Sequence, residues 1–142
     1  MKHVSRRAAS LLTLLCLVAG TAHAQTRDYG RQEYESSCAV CHGATGKGDG
    51  PLGAFLVRKP TDLTTLAARN GGTFATQRVA EIIDGRSAVE IGPHGPRDMP
   101  VWGRIYLEQA IENPGRMQIG PEWYVRARIM ALIDYLARLQ GR

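Results

Sequence analysis

Residues 38–42, Cys-Ala-Val-Cys-His, set two thiols three positions apart with an imidazole directly behind the second. The eleven residues that follow, "GATGKGDGPLG", hold five glycines and a proline, which excludes regular structure there. Whatever this chain folds into must therefore present a compact donor cluster at the edge of an irregular loop. Few other residues can share in that chemistry, as the start of the chain shows. Lys2, Arg6 and Arg7 precede an apolar run from Ala8 to Val18, and Ala22-His23-Ala24 is a small-x-small cleavage site. That pattern predicts a secretory signal peptide over residues 1–24, cut after Ala24. The run is short of the roughly 20 apolar residues a membrane anchor needs. Cys16 lies inside the run and is discarded with it, so residues 25–142 keep only Cys38, Cys41, His42 and His94.

Those 118 residues suffice for one compact domain. The leader carries three of the 18 Lys and Arg and none of the 13 acidic residues, so the remainder has a formal charge of only +2. Nucleic-acid binding, which rests on a dense positive patch, loses its support.

Periodicity predicts helices throughout. Tyr29, Gly30, Glu33, Tyr34 and Ser37 recur at helical spacing over residues 27–37. "PTDLTTLAARNGG" predicts a helix from Thr61 with a stop at Gly71. "TFATQRVAEIIDG" predicts another, with Phe74, Val79, Ile82 and Ile83 on one side and Gly85 at its end. Residues 85–103, rich in glycine and proline around His94 and Met99, read as a long functional loop. "RIYLEQAIENPG" predicts a short helix ended before Pro114. The last helix starts near Pro121 and carries Val125, Ile129, Leu132, Leu136 and Leu139 on one stripe, with Arg126, Arg128 and Arg138 elsewhere. Nothing in residues 25–142 alternates with period two, so the fold class expected is all-α.

Three chemistries use cysteines at this spacing. A redox dithiol belongs after a strand in a βαβ unit, and no strand is legible before Cys38. A zinc site would need Cys38, Cys41, His42 and His94 together, with the adjacent Cys41 and His42 converging on one ion in poor geometry. The pentapeptide is also the pattern of covalent haem attachment. Two thiols about one helical turn apart can reach the two vinyl groups on one porphyrin edge, and the next histidine can turn its ring beneath the plane. Export to an oxidising compartment agrees with that reading.

On these residues the chain resembles the class I c-type cytochromes, specifically small single-haem bacterial ones. The resemblance runs from "YGRQEYESSCAVCHGATGKGDGP" through "RKPTDLT", "GGTF", "IDGR" and "HGPRDMPVWG" to the final helix. It implies about four or five helices around one covalently attached haem c, with Cys38 and Cys41 as its thioethers and His42 as the proximal iron ligand. Gly30 and Tyr34 would let the first helix cross the last closely, against Leu132 and Tyr135. The carbonyl of Pro51 would accept a hydrogen bond from the proximal ring; the plainer role for Pro51 is to end the glycine-rich loop.

The sixth ligand decides function, because iron with one protein ligand binds small molecules and iron with two mainly passes electrons. Met99, in "RDMPVWG", stands where the resemblance places the ligand methionine. Met117 is a second candidate, Met130 reads as core, and His94 is a competing ligand that would lower the potential. Trp102, Arg58, Lys59 and Arg97 are candidate contacts for the haem propionates, whose two charges would cancel the +2. The expected function is one-electron transfer in the bacterial periplasm, without enzymatic turnover, between redox protein partners. An electron-accepting subunit of a dehydrogenase or oxidase complex is the alternative. A peroxidase-type enzyme lacks a distal base other than His94.

Overall fold

The structure, a computed structural model, describes residues 27–86, 99–113 and 120–141. The leader, the loop carrying His94 and Arg97, and Met117 lie outside the described residues. Five α-helices and three short 3-10 turns, with no strand, make up the described part: α1 (Tyr29–Ser37), α2 (Ala39–His42), α3 (Thr76–Asp84), α4 (Trp102–Glu112) and α5 (Pro121–Arg138), with turns at Pro51–Phe55, Leu63–Thr65 and Ala68–Asn70. The all-α expectation holds. No helix among the described residues is long and apolar enough to cross a membrane.

Helix α5 organises the core because its apolar stripe faces three neighbours. Val125, Ile129, Leu132, Ile133 and Leu136 are buried, together with Leu139 just past the helix. They pack on Tyr34 of α1, Val79 and Ile83 of α3 and Tyr106 of α4. Each such side chain contributes roughly 1.5–3 kcal/mol on leaving water. Met130, expected in the core, is 52% exposed. It follows Ile129 by one position, about 100° around the helix, and so falls off the buried stripe.

The α1/α5 crossing is as close as two backbones allow. A Cβ on Gly30 would overlap the carbonyl oxygen of Ala131 and touch Tyr135 Cβ. Tyr34 follows one turn later, its ring 5.1 Å from that of Tyr135 and its hydroxyl donating to the Gly43 carbonyl at 2.5 Å. The crossing therefore also holds the residue that follows His42. Asp28 caps α1 by accepting from the Arg31 N–H at 3.0 Å.

Two polar clusters join the helices. Arg86 forks onto Asp84 at 2.6 and 3.0 Å and onto Glu122 at 2.8 and 3.0 Å, fastening the end of α3 to the start of α5. Hydrogen bonding from Arg86 holds the Asp84 carboxyl below its ordinary range. This gives "IDGR" a structural role beyond ending a helix. The second cluster centres on Glu33 and Arg128. The expectation that Arg128 lies apart from the packed face fails, because its side chain is only 22% exposed and reaches Glu33 on α1.

Residues 61–71 depart from the expected single helix. The Asp62 carboxylate accepts from the Thr64 N–H at 2.9 Å and the Thr64 hydroxyl at 2.7 Å, which tightens the start into a 3-10 turn. The Gln140 side chain then takes the Ala67 N–H and the Leu63 carbonyl, each at 2.9 Å. Backbone groups that would continue a helix are thus committed to the far end of the chain.

Candidate haem-binding site

The donor cluster sits where α1 runs into α2. The Cys38 N–H still donates to Tyr34 at 2.9 Å, and the Cys38 carbonyl accepts from Cys41 at 3.1 Å and His42 at 2.9 Å. One helical turn therefore carries both thiols and the imidazole. Cys38 and Cys41 are free thiols, each half-buried. Burial first, then the Glu33 carboxylate and Cys41, pushes the Cys38 thiol up to about 12. A neutral thiol at pH 7 is the opposite of what a redox dithiol requires, which is a depressed pKa. Among the described residues, no three Cys, His, Asp or Glu side chains converge as a metal cage.

His42 Nδ1 lies 3.0 Å from the Thr61 carbonyl oxygen. A carbonyl only accepts, so Nδ1 carries the proton, and in the neutral ring Nε2 keeps its lone pair. No described residue bonds Nε2. The ring is thereby oriented with its free nitrogen available, as metal-binding histidines require. The carbonyl expected for this bond was that of Pro51, and the structure gives the contact to Thr61. Pro51 instead opens the 3-10 turn Pro51–Phe55, the plainer role foreseen for it.

Thr61 reaches His42 because the glycine-rich loop folds back on it. Gly48 N–H donates to the His42 carbonyl at 2.8 Å, and Leu63 N–H donates to the Gly46 carbonyl at 2.7 Å. Gly48 adopts φ +74°, and a Cβ there would overlap the Pro60 carbonyl oxygen. Only glycine lets the loop lie flat against Pro60 and Thr61. The sequence signal for Thr61 was the second proline, in "KPTD", which fixes the chain just before it.

Met99, half-buried, packs against the same core cluster that Cys38 and Trp102 border. Trp102 opens α4 and tilts onto Tyr106, with ring centroids 5.6 Å apart. Arg58 and Lys59 are exposed, and among the described residues no hydrogen bond or ring contact joins either to Trp102. The structure thus brings Cys38, Met99 and Trp102 to one core and leaves Arg58 and Lys59 outside it. Next to Cys41, α2 meets the Pro51–Phe55 turn, where Val40, Leu52, Phe55 and Val57 present uncovered apolar surface; Phe55 is 82% and Val57 89% exposed.

Two free thiols on one turn, a ring with its distal nitrogen available, a thioether on the adjoining core and uncovered apolar surface fit a covalently held haem. Among the described residues they form no closed metal cage, and the buried Cys38 thiol does not suit a reactive dithiol. The class so defined is a helical haem-binding electron-transfer domain. The cytochrome c family model matches residues 28–113, which run from the α1 cap to the end of α4, and the chain belongs to that family. Members carry covalent haem c and are typically electron-transfer proteins rather than enzymes. Comparison with curated proteins and with solved structures gives no match.

Proposed function

We propose that this protein is a periplasmic one-electron carrier with a single covalent haem, bound through Cys38 and Cys41 and ligated by His42 and Met99. The observation that carries this reading is the bond from His42 Nδ1 to Thr61, which fixes the ring and leaves Nε2 free beside the two thiols. Haem c supplies a reversible one-electron couple. The chain's own task is to hold the surroundings constant while the charge changes. Thr61 fixes the His42 ring, the α1/α5 crossing fixes the turn that bears both thiols, and the Met99 thioether lies on the packed core. Little then has to reorganise on electron transfer.

Leader cleavage after Ala24 and periplasmic delivery belong to this proposal, supported by the charged, apolar and small-residue pattern of residues 1–24. Its partners are a donor and an acceptor redox protein. Ile111, Trp123 and Met130 are large, exposed apolar side chains on α4 and α5, and they favour a second reading as a subunit docked on a dehydrogenase or oxidase. Co-elution with such an enzyme would select it.

Potentiometric titration of the haem-matured protein tests the carrier reading. The expected result is one haem per chain, a one-electron Nernst curve, and a low-spin ferric spectrum that cyanide and peroxide leave unchanged. Rapid ligand binding and peroxide turnover would replace it with a peroxidase-type site.

A further inference from the structure

Glu33 lies on α1 five positions before Cys38, and its side chain is only 12% exposed. Its carboxylate accepts from Ser37 Oγ at 2.8 Å, Tyr106 Oη at 2.9 Å, and Arg128 Nε at 3.0 Å and Nη2 at 2.5 Å. Arg128 also donates to Gln109 Oε1 at 2.5 Å and Tyr124 Oη at 3.1 Å, and its guanidinium stands 4.0 Å from the Tyr106 ring centroid. The pair is saturated with partners: its members come from α1 and α5, and Tyr106 and Gln109 of α4 bond them in turn. Buried ion pairs are weak sources of stability, because desolvation offsets their attraction. Their placement therefore needs another account.

We propose that the Glu33–Arg128 pair balances charge beside the haem anchored on Cys38, Glu33 opposing its reduction and Arg128 assisting it, so that the intact pair leaves the potential nearly unshifted while either charge alone would move it. Ser37, which bonds Glu33, is the residue directly before Cys38. Glu33 and Cys38 lie on one helical stretch, five residues or about 7.5 Å apart along its axis, so the field of the buried carboxylate reaches the anchor. Tyr106 touches both groups, donating its hydroxyl to Glu33 and carrying the Arg128 guanidinium over its ring. A field present at the sulfur acts also on the group covalently attached to it. Reduction adds one negative charge, so a carboxylate opposes it and a guanidinium assists it, and burial keeps salt from screening either. Held as a pair, the two effects largely cancel. Removing one leaves the other unopposed, so the two single replacements must act with opposite signs.

The inference rests on the haem reading above, and the test separates the two. Glu33→Gln, Arg128→Gln, the double replacement and Arg128→Lys are matured with haem and titrated potentiometrically, with thermal unfolding recorded in parallel. At the wild-type midpoint, Glu33→Gln should raise the Fe(II)/Fe(III) ratio about three- to tenfold and Arg128→Gln should lower it by a similar factor; tenfold is 59 mV for one electron. The double replacement should return to within about twofold of wild type. Arg128→Lys keeps the charge but not the fork, so it should lose thermal stability while its potential stays within about twofold. Should Arg128→Gln fail to fold, a shift in Glu33→Gln without one in Arg128→Lys still sustains the inference. Shifts of the same sign in both single variants, or none beyond twofold with stability lost, would make the pair structural only. Wild-type protein without covalent haem would overturn both the inference and the reading beneath it.

Discussion

Cys38→Ser/Cys41→Ser, expressed with haem-maturation machinery, is expected to contain no covalent haem. Both thiols lie on the single turn closed by the Cys38 carbonyl, and they are the only free cysteines among the described residues, so no neighbouring sulfur can substitute. Serine keeps the size and polarity of the site and removes the nucleophile. Haem staining of the denatured chain should fall from a full band to none. Acid-acetone extraction should release no tightly held remainder. Cys38→Ser alone should retain one linkage through Cys41, and haem extraction from it should stay incomplete. A haem band in the double variant would refute the attachment site.

Gly30→Ala should destabilise the protein, against helix propensity. Propensity alone favours alanine by about 1 kcal/mol in a helix interior. Here the added methyl meets the carbonyl oxygen of Ala131, a backbone atom that no rotamer change can move aside. Overpacking against fixed atoms costs about 1–3 kcal/mol or more, and the closeness of this contact places Gly30 at the upper end. The net loss should be about 2 kcal/mol, lowering Tm by roughly 6–10 °C. Thermal unfolding of the haem-loaded protein measures it. The loss should reach His42 as well, because Tyr34 on the same helix holds the Gly43 carbonyl. A Tm equal to or above wild type would mean that the two helices do not cross at Gly30.

What was legible in the chain was what depends on neighbours in sequence. The stripe on α5 needs only its own periodicity, and Val125, Ile129, Leu132, Leu136 and Leu139 are all buried. Met130 was misplaced by a single position on that same helix. The thiol-bearing turn is likewise local, since Cys38, Cys41 and His42 are joined by hydrogen bonds that close within four residues. Distant partners set the rest. His42 takes its partner from 19 residues away, at Thr61 rather than Pro51. The segment after Thr61 loses its helix to Gln140, whose bonds span 73 and 77 residues. Arg128 read only as lying off the apolar stripe, and Glu33, 95 residues earlier, gives it a buried carboxylate. No window along the sequence contains both members of such a pair.

The axial pair His42 and Met99 is the central claim, and the absorption spectrum of the oxidised, haem-loaded protein beside Met99→Ala tests it most directly. A low-spin spectrum with the weak near-infrared band of methionine-to-iron charge transfer, present in the wild type and lost in Met99→Ala, is the predicted result. A band that survives Met99→Ala, or a wild-type protein that carries haem without it, would contradict the account and move the sixth position to Met117, to His94 or to an open site.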